Sequence, residues 1–144
     1  MDKNGIIKAI DANLNRALEG IRVTEDISRF ILSDKNITSQ LKDVRHNIAA
    51  GAEKMFPDRT VLLECRDTEK DVGAFIKCGH EFKRTGTKDI LGVNFRRASE
   101  ALRVLEEFGK LFNVKASLMF KKMRFEVYRI EKKMLTGKKV KNIK

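Results

Sequence analysis

The stretch NLNRALEGIRVTED, residues 13–26, recurs in altered form as NFRRASEALRVLEE at residues 94–107. Seven of the fourteen aligned positions are identical, and they comprise one Asn, two Arg, two Glu, one Ala and one Val. Repeated apolar positions would indicate only that both stretches are helices, whereas helix packing rarely requires repeated Asn, Arg and Glu. We therefore interpret the pattern as an internal duplication with a polar site where the two copies meet.

The repeat continues more weakly beyond these stretches. Leu41–Arg45 aligns with Phe120–Arg124 once two residues are dropped from the connecting loop. Each copy therefore contains two helices, and we place the copies at about 5–56 and 88–135.

The spacing of apolar residues predicts four main helices, because these residues recur close to the period of 3.6. The predicted ranges are about 6–32, 37–56, 88–112 and 115–135. A single Pro and nine Gly also favour helices over a sheet. We expect an all-α fold, a helical bundle of four main helices built from two duplicated helix pairs with an irregular middle segment.

The chain of 144 residues is long enough for one well-packed domain, which we place at residues 1–135. The connecting segment, 57–87, is the least regular. There Thr60–Cys65 is expected to be extended or a short buried turn, and Arg66–Gly73 a capped helical turn. Residues 77–88 are predicted to form a basic flexible loop, and residues 136–144 a basic flexible tail.

The formal net charge of +11 favours anionic partners such as nucleotides or phosphorylated metabolites. No signal peptide or membrane-spanning run is evident, which predicts a cytoplasmic protein without membrane contact. Cys65 and Cys78 lack zinc-site spacing and are read as small core or surface residues.

Each repeated Asn is flanked on its helix face by two small residues. These are Ala17 and Gly20 around Asn13, and Ala98 and Ala101 around Asn94. Small residues let two helices approach closely, so we expect the first and third helices to pack along this seam about a pseudo-two-fold axis. The two asparagines would then lie near each other. A small-residue seam could also serve a homodimer.

Arg16 and Arg97 adjoin the expected seam. An Arg beside an Asn suits phosphate, because the guanidinium donates two hydrogen bonds and the amide orients the ligand. The alternating signs along both helices also fit surface ion pairs, and for Arg22, Glu25 and Arg103 that reading is equally good.

The middle segment supplies acidic residues. In a helical turn Asp67 and Asp71 would share one face and could hold Mg²⁺ through carboxylate oxygens while substrate phosphates complete its coordination. Arg66 could neutralise charge on a transferring phosphoryl group. The alternative is helix capping, which needs only one carboxylate.

Other chemistries find little support. The chain has no GxxxxGK[ST] or GxGxxG phosphate loop and no defensible Ser/His/Asp set. His46 is more simply a hydrogen-bonded structural residue. A basic nucleic-acid-binding protein ranks third among the readings, because no exposed aromatic pattern accompanies the charge.

The assembled motifs resemble the monofunctional hydroxymethylpyrimidine phosphate kinase family, a small helical domain found alone or fused ahead of thiamine-phosphate synthase. The resemblance covers roughly residues 5–132. It is carried by Ile10–Ala17, Glu19–Val23 with Glu25 and Asp26, Arg45–His46, Arg66–Thr68 with Asp71–Gly73, and Asn94–Arg97 continuing to Phe108.

The resemblance implies ATP-dependent phosphorylation of hydroxymethylpyrimidine phosphate to its diphosphate in thiamine biosynthesis, with Mg²⁺ as cofactor and ATP as co-substrate. Asp67 and Asp71 are then expected to bind Mg²⁺ or position the acceptor. The phosphate- and substrate-binding candidates are Asn13, Arg16, Arg45, Arg66, Asn94, Arg97 and Arg124. The alternative is a non-catalytic module that docks onto thiamine-phosphate synthase as its partner.

Overall fold

The computed structural model describes residues 1–76, 79 and 83–143, and over these residues the chain is all-α, as predicted. The helices are α1 (Lys3–Asp26), α2 (Lys35–Met55), α3 (Thr60–Cys65), α4 (Thr87–Gly109), α5 (Val114–Leu135) and α6 (Lys138–Lys141), with a π-helical turn at Ile27–Ile31. The four long helices lie where the apolar spacing predicts them.

The long helices form a four-membered ring of contacts. Helix α1 packs on α2 and α4, and α5 packs on the same two helices. A pseudo-two-fold axis that exchanges α1 with α4 and α2 with α5 maps this set of contacts onto itself. The arrangement supports the interpretation of the chain as two related halves.

Buried side chains occupy corresponding positions in the two halves. At an offset of 81 or 79 residues the core pairs are Ile10 with Leu91, Leu14 with Phe95, Ala17 with Ala98, Ile21 with Leu102, Leu41 with Phe120, Val44 with Met123, and Ile48 with Val127. Burying the larger of these side chains, Leu, Ile, Val, Met and Phe, contributes about 1.5–3 kcal/mol each relative to exposure, so this stripe holds the bundle together.

Helices α2 and α5 begin with equivalent N-caps. The Asp34 Oδ1 atom accepts a hydrogen bond from the Ile37 backbone N–H at 3.0 Å. The Asn113 Oδ1 atom accepts one from the Ala116 N–H, also at 3.0 Å. Both side chains satisfy a backbone donor that has no partner within its own helix.

The middle segment departs in part from expectation. Thr60–Cys65 is neither extended nor a simple turn, since it forms α3, which packs on α1. Residues 66–73 form turns and bends rather than a continuous helical turn. Of the predicted basic loop 77–88, residues 77, 78 and 80–82 lie outside the described residues, and these include Cys78 and His80. Cys65 is a partly buried free thiol.

The C-terminal tail also differs from the predicted flexible tail. Residues 138–141 form α6, and Val140 is buried with 1% exposure. The Lys139 Nζ atom lies 3.4 Å from Asp34 Oδ2. Val140 supplies the apolar anchor, a contribution that a surrounding run of lysines conceals in the sequence.

Candidate functional site

A cleft of about 820 Å³ lies along the seam between α1 and α4. Its lining comes from both copies and from the middle segment: Asn13, Arg16, Glu19, Gly20, Asp71, Gly73, Ala74, Asn94, Arg97, Glu100, Ala101 and Val104. Both repeated asparagines and both adjoining arginines therefore face one cavity, together with one of the two candidate carboxylates.

Close helix approach at Gly20 creates this geometry. A Cβ atom on Gly20 would lie 3.0 Å from the Asn94 carbonyl oxygen and 3.3 Å from the Ala98 Cβ. Contacts this short leave no room for a larger side chain at the crossing. The small residues of the seam thus bring the two asparagine-bearing faces together.

Both asparagine amides are fixed by their own helices. The Asn13 Nδ2 atom donates to the Ala9 carbonyl at 2.8 Å, and the Asn94 Nδ2 atom donates to the Ile90 carbonyl at 2.9 Å. A carbonyl can only accept, so this bond sets the amide orientation. Neither Oδ1 atom has a hydrogen-bond partner within the described chain, which leaves a matched pair of acceptors at the cleft.

Arg16 and Arg97 are exposed at the cleft, and neither guanidinium has an ion pair or side-chain hydrogen bond with any described residue. Five other arginines on the four long helices are ion-paired: Arg22, Arg45, Arg103, Arg124 and Arg129. Arg22 and Arg103 thus do form i,i+3 ion pairs, although their partners Glu25 and Glu106 are buried rather than on the surface, whereas the cleft pair keeps its donors open. Open guanidinium donors are suited to carboxylate or phosphate ligands.

Arg45 and Arg124 lie at a different place. The Arg45 Nε atom donates to the buried Glu25 Oε2 at 2.9 Å. In the other half, the Arg124 Nε and Nη2 atoms donate to Glu106 Oε2 at 3.2 and 2.8 Å. Hydrogen bonds to Tyr128 and Glu106 raise the pKa of Arg124. The structure places these two arginines in equivalent helix-to-helix ion pairs rather than in the cleft lining.

Arg66 is held by Asp11. Its Nε and Nη2 atoms donate to the two carboxylate oxygens at 2.7 and 2.8 Å, and Asp11 is 5% exposed. This bidentate bond raises the pKa of Arg66. It ties the start of the middle segment to α1, and thereby positions the residues that follow.

Asp67 and Asp71 each cap a local turn. Asp67 Oδ1 accepts from the Lys70 N–H at 3.2 Å, and Asp71 Oδ1 accepts from the Gly73 N–H at 2.9 Å. Asp71 lines the cleft and Asp67 does not. The shared helical face expected for the two carboxylates is therefore not what the structure shows, because the segment is built of separate turns.

The donor set suits a metal ion that arrives with phosphates. No group of three or more His, Cys, Asp or Glu side chains surrounds a potential metal position among residues 1–76, 79 and 83–143. Mg²⁺ in nucleotide sites needs only one or two carboxylates, since substrate phosphates and water supply the remaining ligands. Asp71, with its Oδ2 atom outside the turn bond, fits that role.

Sequence reasoning missed three buried acids: Asp11, Glu25 and Glu106. Glu25 is 0% exposed and Glu106 is 5% exposed. A signal was present, because Asp11 falls between Ile10 and Leu14 on the apolar side of α1. A carboxylate at such a position requires a cationic partner from elsewhere in the chain.

The fold and the cleft together define a duplicated all-α domain with a cation-bearing cleft at the junction of its halves. Residues 8–133 match the ThiD2 family. The chain therefore belongs to the ThiD2 family.

Curated relatives connect this family with thiamine biosynthesis. The chain is 36% identical over 138 residues to thiamine-phosphate synthase of Synechocystis, covering 96% of this chain and 38% of the relative. It is 36% identical over 130 residues to the protein of the same name from Nostoc sp. PCC 7120, covering 90% and 35%. It is 34% identical over 123 residues to the thiamine-phosphate synthase of Rhodopirellula baltica, covering 85% of this chain and 32% of the relative.

The chain thus spans about a third of the length of these relatives. No solved structure matches it. Within the described part of the chain, no helix combines the length and the apolar character needed to cross a bilayer.

Proposed function

We propose that this chain transfers the terminal phosphoryl group of ATP to hydroxymethylpyrimidine phosphate, forming the diphosphate and ADP in thiamine biosynthesis. The observation that carries the proposal is the pair of unpartnered guanidinium groups, Arg16 and Arg97, at one cleft between the two halves. Two anionic substrates must be held side by side in such a reaction, and one cation from each half meets that need. Membership of the ThiD2 family supports the pathway.

In the proposed reaction an oxygen of the acceptor phosphate attacks the terminal phosphorus of ATP. The bond between that phosphorus and the bridging oxygen breaks, and ADP leaves with the electron pair. The attacking oxygen is already ionised near neutral pH, so no strong general base is required. Positioning and charge neutralisation are the main contributions the protein has to make.

The residues take roles that follow from their chemistry. Arg16 and Arg97 each donate to phosphate oxygens, and the Oδ1 atoms of Asn13 and Asn94 accept from substrate N–H or O–H groups. Arg66 acts through Asp11 by anchoring the middle segment. Arg45 and Arg124 do not line the cleft, because they are held in ion pairs with Glu25 and Glu106. They therefore take no part in holding the phosphates.

Mg²⁺ would be held by Asp71, with Asp67 as the further candidate from the same segment. When bound, the ion supplies neutralisation of phosphate charge. Asp71 reaches the cleft from the middle segment, opposite the two helices that carry the arginines. The carboxylate and the guanidinium groups thereby face a phosphate chain from different elements.

The test is a direct assay with pure protein, ATP, Mg²⁺ and hydroxymethylpyrimidine phosphate, with ADP measured by a coupled enzyme and the diphosphate by phosphorus NMR. Arg16→Ala and Arg97→Ala should each lower kcat/KM by about a hundredfold or more, because each removes a charge-assisted donor from the transferring group. Chelation of Mg²⁺ should abolish turnover.

The matched control is Arg129→Ala. Arg129 lies on α5 outside the cleft lining and pairs with Glu126 at 2.7 Å, so its loss changes net charge equally without touching the site. Equal losses in all three variants would contradict the site assignment.

A second candidate is a non-catalytic module that associates with thiamine-phosphate synthase. The extent of the matches favours it, because the chain corresponds to about a third of relatives that carry that name. If wild-type protein forms no ADP above a blank but binds a separately produced thiamine-phosphate synthase in gel filtration, this candidate replaces the kinase.

A further inference from the structure

A second cavity, of about 580 Å³, lies between α1 and α2 beside the cleft described above. Its walls include Leu18, Val23 and Ala49, beside the charged groups of Arg22 and Arg45. We call this cavity the α1–α2 groove. Glu19 lines both this groove and the cleft, so the two cavities meet at one residue of α1.

The second half of the chain shows what fills the corresponding space there. At the offset of 79 residues, His46 corresponds to Phe125 and Ala49 to Tyr128. The Arg124 guanidinium carbon lies 5.2 Å from the Phe125 ring centroid and 5.8 Å from that of Tyr128. Its Nη1 atom also donates to the Tyr128 hydroxyl at 3.4 Å. In the second half, therefore, an arginine held by a buried glutamate lies against two aromatic rings.

The first half keeps the arginine but has the imidazole of His46 and the methyl group of Ala49 where the second half has the rings of Phe125 and Tyr128. Arg45 makes the same bond to a buried glutamate, with Nε and Glu25 Oε2 at 2.9 Å. No Phe or Tyr ring lies over the Arg45 guanidinium within the described chain, and the space next to Ala49 is open groove. The second carboxylate oxygen, Glu25 Oε1, is buried without a hydrogen-bond partner, 3.7 Å from Arg22 Nη1. An aromatic ring in the groove would give Arg45 the stacking partner that Arg124 has in the second half.

We propose that the α1–α2 groove binds the heteroaromatic, amino-substituted ring of a substrate, stacked against the Arg45 guanidinium. The proposal rests on the proposed function, since the phosphates of the same substrate would lie in the adjoining cleft. Guanidinium planes stack on aromatic faces, and the Glu19 carboxylate in the wall of the groove can accept a hydrogen bond from an exocyclic amino group.

The distance along α1 agrees with one ligand spanning both cavities. Arg16 belongs to the cleft, Glu19 to both cavities and Arg22 to the groove, and six residues of helix rise by about 9 Å. A ring joined to a phosphate through a short linker covers such a span. Adenine and the aminopyrimidine of the acceptor share this chemistry, so the experiment must separate them.

The test copies the second half into the first. Ala49→Tyr places in the groove the residue that fills its counterpart, and Ala49 is exposed, so the fold tolerates the change. Calorimetric titration is carried out with three probes: ATP, hydroxymethylpyrimidine phosphate and inorganic tripolyphosphate, which has no ring. Ala50→Tyr is the control, because Ala50 is exposed on the same helix and does not line the groove.

We expect Ala49→Tyr to weaken the Kd of one ring-bearing probe by about tenfold or more, since stacking of one base contributes on that order, and to leave tripolyphosphate unchanged. Loss of ATP binding identifies the ring as adenine, and loss of acceptor binding identifies it as the aminopyrimidine. Ala50→Tyr should bind all three probes as wild type does.

The proposal is overturned if Ala49→Tyr binds every probe like wild type, or if it loses tripolyphosphate to the same extent as the ring-bearing probes. Binding is measured without turnover. A wild-type protein that binds ring-bearing probes but forms no ADP would therefore contradict the proposed kinase and leave the groove assignment standing.

Discussion

The two halves of the chain bury the same carboxylate at the same place and satisfy it differently. In the second half Glu106 accepts two hydrogen bonds from Arg124, whose guanidinium also contacts Tyr128. In the first half Glu25 accepts one from Arg45 and leaves its other oxygen without a partner. In both halves the Oε1 atom makes no hydrogen bond within the described chain, but that of Glu25 is fully buried and belongs to the half whose arginine borders an open groove.

A further difference concerns the attachment of the middle segment. Asp11 of α1 binds Arg66 in a bidentate ion pair. Its counterpart in α4 is Gly92, where an added Cβ would meet nothing within 4 Å. Only the first half therefore anchors the segment that brings Asp71 to the cleft. The two halves thus share the contacts that hold the bundle together, whereas the differences between them lie around the cavities.

The buried ion pairs give the largest expected difference between the halves. Arg124→Met should lower the free energy of unfolding by about 3–5 kcal/mol, because it leaves Glu106 buried without its cation. Arg45→Met should cost less, about 1–3 kcal/mol, since the Arg45 side chain is 21% exposed against 11% for Arg124 and makes one bond to its glutamate rather than two.

Urea unfolding followed by circular dichroism measures both values. The double variant Arg124→Met with Glu106→Leu is the control, because it removes the stranded charge and should recover most of the loss. If the two single variants lower the free energy of unfolding equally, the difference in geometry between the two ion pairs does not affect stability.

The seam gives an intermediate effect. Gly20→Ala should destabilise the protein by about 1 kcal/mol, because overpacking against Asn94 and Ala98 outweighs the gain in helix propensity. Gly92→Ala is the matched control within α4. Its Cβ meets no neighbour, so it should stabilise by about 0.5–1 kcal/mol. If both substitutions stabilise the protein in urea unfolding, the two helices approach less closely than the structure indicates.

Much of this comparison could be predicted from the sequence, and the reason is periodicity. The apolar stripes predicted the four long helices, and the repeated small residues indicated the close packing of α1 and α4 beside which Asn13 and Asn94 line one cleft. The middle segment has no such period, so α3 and the separate turns at Asp67 and Asp71 depend on tertiary contacts. The partners of Asp11 and Glu25 lie 55 and 20 residues away, beyond what any local pattern can specify.

The N-caps of α2 and α5 give the smallest expected effect on stability. The test is to give α2 the type of cap residue that α5 has. Asp34 caps α2 as Asn113 caps α5, but only Asp34 carries a charge. The Ile37 backbone N–H, with a further contribution from Lys139, lowers the pKa of Asp34 below its ordinary value of 3.8. A lowered carboxylate pKa stabilises the folded state above that ordinary value, and the contribution is lost as pH falls through the lowered pKa.

Asp34→Asn copies the second half into the first, keeping a cap while removing the charge. It should cost about 0.5 kcal/mol near neutral pH, mainly the partly exposed contact with Lys139 at 3.4 Å, and the difference from wild type should vanish in strong acid. Urea unfolding at a series of pH values measures this. Lys139→Met provides the control, because it removes the same contact without changing the cap. A difference that persists unchanged below the ordinary pKa of Asp34 would show that capping geometry, rather than charge, distinguishes the two halves at this point.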